Sequence, residues 1–228
     1  MKIKLYPCFN HLSVYNNIWV YSDPHFGDLD LYRYRRLVHV PDRRDYKGDV
    51  PFDEFVIEAI KEADEKQVVS INSCVGKKDA IIFLGDIGDT QYIKWIKGYK
   101  ILIMGNHDGG PSNYQRVVEN GIDNHLFDEV YSGIVMLNDK LLLSHERVSL
   151  PFTLNIHGHN HAEKIADSSG LSMNVCAEHI DYKPINLNRL AKDGVFKDIP
   201  SIHRITIDKA SMRDEYDFSE GVKNPYIK

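Results

Sequence analysis

Ala80-Ile81-Ile82-Phe83-Leu84-Gly85-Asp86-Ile87-Gly88-Asp89 runs five apolar residues, without a polar break, into a glycine-spaced pair of aspartates. A half-exposed strand alternates apolar and polar residues. A short continuous run bounded by glycine is what a strand covered on both faces requires, as in the middle of a parallel sheet. The same grammar occurs upstream and downstream. Asn17-Ile18-Trp19-Val20-Tyr21-Ser22 empties into Asp23-Pro24-His25-Phe26-Gly27, and Ile101 to Met104 empties into Gly105-Asn106-His107-Asp108-Gly109-Gly110. Helical spacing fills the intervals. Leu29 to Val38 has apolar residues at roughly helical period. Pro51 suits the first turn of a long helix striped by Phe52, Phe55, Val56, Ala59, Ile60 and Ala63, running on through Val68 to Val75 and stopping at Gly76. A short helix is expected over Thr90 to Ile96, ending at Gly98, and another over residues 112–120, stopped by Gly121. Strands alternating with helices predict parallel βαβ units and an α/β fold.

After residue 121 the texture changes to hairpins. Val130 to Leu137 and Lys140 to Ser144 flank the turn dipeptide Asn138-Asp139, and Thr153 to His157, Met173 to Cys176 and His203 to Ile207 read as further strands. Ile3 to Leu5 reads as a short edge strand, and residues 40 to 50, with Pro41, Gly48 and many charges, as a loop. No repeat or composition shift divides the chain, so residues 1–228 are expected to form a single domain. Its core would span about 17–208, followed by a polar tail over about 209–228.

Composition narrows the function. Three widely spaced cysteines, Cys8, Cys74 and Cys176, offer neither a disulfide framework nor a zinc ribbon and fit a reducing, cytoplasmic setting. The apolar runs are far too short for a membrane span, and the N-terminus lacks a signal-peptide pattern, so no membrane partner is expected. A formal net charge of -5 supplies no global basic field for nucleic acid. Eleven histidines, a high number for 228 residues, direct attention to an imidazole-rich site.

In parallel sheets functional residues gather at the carboxyl ends of strands. Asp23, His25, Asp86, Asn106 and His107 sit there, as do His145 after Leu141-Leu142-Leu143-Ser144, and His159 and His161 in Asn155-Ile156-His157-Gly158-His159-Asn160-His161. In an extended segment His159 and His161 point to one side and can converge on one point, with Gly158 permitting a bend. Asp23, His25, Asp86, Asn106, His145, His159 and His161 are all divalent-metal ligand types. Seven are too many for one ion and suit two ions joined by a carboxylate. Oxygen and nitrogen donors without thiolate favour manganese, with iron or zinc as alternatives, over magnesium or calcium.

Taken in order, Asp-x-His at 23–25, Gly-Asp-x-x-Asp at 85–89, Gly-Asn-His-Asp at 105–108, the lone His145 and Gly-His-x-His at 158–161 resemble the calcineurin-like metallophosphoesterase superfamily over about residues 17 to 188. The stretch Asn174-Val175-Cys176 through Asp181-Tyr182-Lys183-Pro184 is similar to the closing strand and loop of small bacterial and phage members. The resemblance implies a two-sheet α/β sandwich. It also implies one metal held by Asp23, His25 and His161, a second held by Asn106, His145 and His159, and Asp86 bridging them. His107 would act on the substrate rather than ligate. This chain departs from the family pattern at Pro24, Gly88 and Glu146-Arg147, which bears on pocket shape and not on the ligands.

The expected activity is hydrolysis of a small phosphodiester or phosphomonoester, such as a nucleotide, by attack of a metal-bridging hydroxide, with His107 and Asp86 as catalytic residues. A metal-dependent nuclease acting on DNA or RNA and a catalytically weak binding module on the same fold are the alternatives. Arg33, Arg35, Arg36, Arg43 and Arg44 can each offer a bidentate phosphate contact, and Arg33 follows the first metal loop most closely. Asp89 is expected to cap a helix or support a ligand. Asp108 either orients His107 or caps the following turn. His157 is expected to face away from the metals, and Trp19, Tyr21 and Phe26 to belong to the core.

Overall fold

The computed structural model describes residues 2–109, 119, 121–122, 125–162 and 171–203. Each of the continuous apolar runs becomes a strand with neighbours on both sides. In chain order the strands are β1 (Ile18–Tyr21), β2 (Ala80–Phe83), β3 (Tyr99–Ile103), β4 (Glu129–Tyr131), β5 (Val135–Asn138), β6 (Leu141–Leu143), β7 (Leu154–His157), β8 (Ser172–Asn174) and β9 (Ile185–Asn186). One sheet has the order β4-β3-β2-β1-β9, with β1 to β4 mutually parallel and β9 antiparallel to β1. The second has the order β5-β6-β7-β8.

Side-chain alternation along each strand decides what the sheets cover. Ile18, Val20, Ile82, Ile101 and Ile103 point from the first sheet toward Leu137, Leu141, Leu143, Leu154 and Ile156 of the second, and together they form the inter-sheet core. The intervening Tyr21, Ile81, Phe83 and Leu102 face the other way. There they pack against Val68 and Ile71 of a long helix and against Ile93 of a 3₁₀ turn over Thr90–Trp95. The result is an α/β sandwich of two mixed sheets.

The helices whose full span is described are α1 (Leu29–Tyr34), α2 (Phe52–Cys74) and α3 (Leu187–Lys192). α2 starts after Pro51 with Asp53 and Glu54 in its first turn, where carboxylates favour the helix dipole. The apolar stripe from Phe52 to Ala63 is buried only at Ala63; burial continues further along, through Asp64, Gln67, Val68 and Ile71. The two polar residues there have work to do. The Gln67 amide donates to the Pro24 carbonyl at 3.2 Å and accepts from the Tyr21 hydroxyl at 2.8 Å, while Asp64 accepts from the Gly27 N–H at 3.0 Å. The long helix thus braces the loop leaving β1.

Four local expectations change. Ile3 to Leu5 is not a strand: Asn138 and Asn188 side chains bond the Lys4 carbonyl and the Ile3 N–H, and a 3₁₀ helix over Pro7–Val14 follows. α1 stops at Tyr34 rather than Val38, because Arg36 takes a left-handed φ of 57°. The stretch from Val130 to Leu137 is divided between β4 and β5, which belong to different sheets. The hairpin at Asn138-Asp139 joins β5 to β6, but β6, β7 and β8 run parallel. The helix expected over 112–120 falls outside the described residues except at Glu119. Gly121 is itself helical and so does not stop it. The strand expected over 203–207 also lies outside them, apart from His203, which is helical, as does the tail.

Candidate metal centre

All the ligand-type residues leave the carboxyl ends of strands: Asp23 and His25 follow β1, Asp86 follows β2, Asn106 and His107 follow β3, His145 follows β6, and His159 and His161 follow β7. Because β1 to β3 and β6 to β7 are parallel within their sheets, these ends share one edge of the sandwich. Backbone hydrogen bonds tie the loops together. The Asp23 N–H donates to the Gly85 carbonyl at 3.1 Å, the Gly158 N–H to the His145 carbonyl at 2.9 Å, and the Ala177 N–H to the Ser22 carbonyl at 3.1 Å.

Two groups of three converge there. Asp23, His25 and His161 form one, and Asp86, His145 and His159 the other, while His161 also belongs to a third group with Cys176 and Glu178. In the first, Asp23 Oδ1 lies 3.7 Å from His25 Nε2 and 3.8 Å from His161 Nε2. In the second, His145 Nε2 lies 3.4 Å from Asp86 Oδ2, 2.8 Å from Asn106 Oδ1 and 3.1 Å from His159 Nδ1. Asp86 Oδ2 is also 3.5 Å from His25 Nε2, so a single carboxylate oxygen faces both groups. His159 and His161 do not converge on one point. The chain leaves the extended conformation after His157, and a φ of 67° at His159 sends the two rings to different groups.

The donor set fits cations. Asp23 Oδ1 and His25 Nε2 are buried and have no hydrogen-bond partner. Their 3.7 Å separation exceeds a hydrogen bond. It is close to the roughly 3.4 Å between neighbouring ligands of a tetrahedral ion with metal–nitrogen distances of about 2.0–2.1 Å. The opposite oxygen, Asp23 Oδ2, is fully engaged by the Ser22 hydroxyl at 2.5 Å, the His159 N–H at 2.9 Å and the Cys176 thiol at 3.3 Å. That arrangement turns Oδ1 toward the histidines. His145 Nδ1 donates to the Leu84 carbonyl at 2.7 Å, and His161 Nδ1 to Glu178 Oε1 at 2.5 Å. In the neutral ring each bond leaves Nε2 as the lone-pair nitrogen, the tautomer a metal needs.

Charge within the site agrees. Burial alone would lower the pKa of His25, but the carboxylates of Asp23 and Asp86 outweigh it and push it up to about 9. Burial is likewise overcome at His145, which Asp86 and Asp23 raise to about 8. Burial opposes ionisation of Asp86 and Asp23, yet their histidine neighbours hold both below their ordinary value. A cluster that stabilises positive charge on buried imidazoles is equally disposed toward metal cations.

His107 stands beside these groups rather than in them. Its N–H donates to Asp86 Oδ1 at 2.8 Å, and its exposed ring meets the His25 ring edge to face at 5.5 Å. Among the described residues, Asp108 is bonded to backbone rather than to the His107 ring, and the turn it is expected to cap runs into residues outside the described ones. Its carboxylate accepts the N–H groups of Asp86, Ile87 and Gly105 at 2.8, 3.0 and 2.9 Å, lashing the β2 loop to the β3 loop. Asp89 caps the 3₁₀ turn through the Gln91 N–H. His157 is buried and bonded to Ser172 Oγ at 2.9 Å, while His11 and His203 pair with Glu129 and Tyr6. Arg33 is at the surface, 3.6 Å from Asp30. Arg35 is the arginine beneath the site: fully buried, it donates to the Asp23 carbonyl at 2.7 Å and the Pro24 carbonyl at 3.2 Å and pairs with Glu178 at 2.8 Å.

Beside Asn106 and His145 opens a cleft of about 360 Å³ lined by Met104, Ser132, Ile134, Ser144, Glu146 and Val148.

The model of the calcineurin-like phosphoesterase family matches residues 17–202, most of the chain. The chain belongs to that family. Membership supports a metal-dependent phosphoesterase as the general class. An uncharacterized protein of Methanocaldococcus jannaschii is 26% identical over 193 residues, covering 77% of this chain and 89% of the relative. A crystal structure of an Aquifex aeolicus protein of unknown function aligns with a TM-score of 0.52 at 22% identity, over 77% of this chain and 98% of that one, a likeness of fold. Among the described residues, no helix is long and apolar enough to cross a membrane.

Glu178, Cys176 and Ser22 support the site without belonging to any of the five sequence blocks. The strand-end rule that finds the ligands applies to them as well: Ser22 directly follows β1, and Cys176 and Glu178 leave β8.

Proposed function

We propose that this phosphoesterase uses two divalent transition-metal ions, manganese before iron or zinc, to hydrolyse a small phosphomonoester or phosphodiester such as a nucleotide. The observation that carries the reading is Asp86 Oδ2, placed 3.5 Å from His25 Nε2 and 3.4 Å from His145 Nε2, between the two groups of ligand atoms. Ions bound there would supply charge for the phosphoryl oxygens and lower the pKa of water. The protein's own contribution is positional. Asp86 holds both groups in register, with Oδ1 anchored by the His107 N–H. The exposed His107 ring is placed to hydrogen-bond a substrate oxygen or protonate the leaving group. Among the described residues, the cleft lined by Ile134, Val148 and Glu146 contains no lysine or arginine, which suits a compact leaving group better than a long polyanion.

The test is reconstitution with manganese followed by elemental analysis and turnover of para-nitrophenyl phosphate and its bis ester. About two equivalents should bind, and turnover should vanish with a chelator. Asp86→Ala should empty both sites. His107→Ala should keep both ions and lose roughly 10²–10⁴ in kcat. One equivalent in the parent protein with Asp86→Ala unchanged would sink the binuclear reading; loss of metal from His107→Ala would make that residue a ligand.

A further inference from the structure

A chain of charge lies under the site and joins His161 of the Gly-His-x-His block to two residues outside the five blocks, Arg35 and Glu178. Arg35, its side chain fully buried, pairs through Nη2 with Glu178 Oε2 at 2.8 Å. The other carboxylate oxygen, Glu178 Oε1, lies 2.5 Å from His161 Nδ1. The same guanidinium donates to the Asp23 and Pro24 carbonyls, so it grips the loop that carries Asp23 and His25. Three elements meet here: α1, at whose end Arg35 lies, the β1 loop, and the 3₁₀ turn Ala177–Ile180 that follows β8.

We propose that Glu178, fixed by Arg35, is the positioning residue that holds His161 in its Nδ1–H form, so that Nε2 faces Asp23 Oδ1 as a ligand of the first metal. The proposal rests on the reading above only in needing a cation between Asp23, His25 and His161. The chemistry at Glu178 is specific. Both of its neighbours are donor groups: a guanidinium ion-paired with Oε2, which has no hydrogen-bond partner of its own, and an imidazole N–H on Oε1, with Arg35 Nη2 also 3.5 Å from His161 Nδ1. A carboxylate serves both because each of its oxygens accepts. A glutamine of the same shape has one acceptor and one donor. Arg35 can never accept, so the amide oxygen must turn to it, leaving the amide NH₂ against His161 Nδ1. The imidazole then has to accept at Nδ1 and carry its proton on Nε2, the atom a metal requires bare. Ligating histidines generally depend on such an outer partner for tautomer and orientation.

The experiment compares the full-length parent with Glu178→Gln and Glu178→Ala, each first in the metal-free state. Nitrogen-15 NMR of histidine-labelled protein reads the His161 tautomer directly: Nδ1–H is expected in the parent and Nε2–H in Glu178→Gln. Manganese titration should then show one site weakened about 10- to 100-fold in Glu178→Gln and the other unchanged. In Glu178→Ala, water can accept from Nδ1, so its weakened site should bind no worse than that of the glutamine variant. An unchanged tautomer in Glu178→Gln with both sites at parental affinity would overturn the proposal. So would failure of both variants to fold without metal, which would make the Arg35–Glu178 pair purely structural. Uptake of a single ion by the parent defeats the binuclear reading instead, and the tautomer measurement still decides the role of Glu178.

Discussion

Asp23, His25, Asp86 and His159 hold φ angles of 56°, 48°, 54° and 67°, a left-handed conformation unusual for residues with side chains. Such backbones cost on the order of 1–3 kcal/mol each and survive where the surroundings over-determine them. Here the over-determination is visible, since the Asp86 N–H is held by Asp108 and the His159 N–H by Asp23. Protons are displaced at two histidines of the same site, of which only His25 has such a backbone. His25 is raised to about 9 and His145 to about 8, both above the ordinary histidine value of 6.5. A raised pKa means that the metal-free fold prefers the imidazolium. That contribution to stability is whole below pH 6.5 and is lost as pH rises through 8 and 9. A metal needs the neutral ring and competes with those protons. Metal affinity should therefore climb with pH up to about 9, and calorimetry at pH 7 in buffers of differing protonation enthalpy should show roughly one to two protons released on binding. Binding without proton release would mean that the imidazoles are already neutral.

Between elements, the tightest junction is where the end of β7 crosses the end of β1. A Cβ added to Gly158 would lie 1.9 Å from Ser22 Oγ and 2.1 Å from Asp23 Oδ2. Glycine is required there for closeness rather than for a left-handed bend, since Gly158 is absent from the positive-φ positions. Gly158→Ala should push the two strand ends apart. That shift breaks the His159 N–H bond to Asp23 and misaligns both metal groups. The expected cost is about 1–3 kcal/mol, read as a lower thermal midpoint of the metal-free protein, together with reduced metal uptake. A variant with parental midpoint and full uptake would show that the junction can relax. α2 teaches the complementary point: its buried Asp64 and Gln67 look like interruptions of an apolar stripe, yet they hold the β1 loop against the helix.

For the molecule as a whole, charge and cleft shape bear on substrate size. The chain carries a net charge of -5, and part of its densest basic stretch is engaged locally: Arg35 is buried under the site, Arg43 is paired with Asp53 and Arg44 with Asp42. A protein with 6–10 phosphate contacts loses roughly 10³–10⁵ in affinity between about 50 and 200 mM salt. Turnover of small phosphate esters by this protein should change only weakly over that range. Single- and double-stranded oligonucleotides assayed alongside provide the contrast. Efficient, steeply salt-sensitive cleavage of those, with negligible turnover of the small esters, would favour a nuclease.

Much of this was written locally. An apolar run ending in glycine and a carboxylate specifies a buried strand and a turn within ten residues, so Ala80 to Asp89 alone carries both the parallel sheet and one strand-end aspartate. Five strand ends place the ligand types along one edge, and the order of the blocks identifies the family. What local sequence cannot encode is which donor meets which. His159 and His161 are two apart and separate because of one φ angle. Arg35 rather than Arg33 reaches the site because α1 ends where it does. Glu178 lies seventeen residues beyond His161 and touches it only because β8 runs parallel beside β7. Hydrogen-bond partners and tautomers depend on atoms brought together from distant segments at separations near 3 Å, and that register is set by how the two sheets pack.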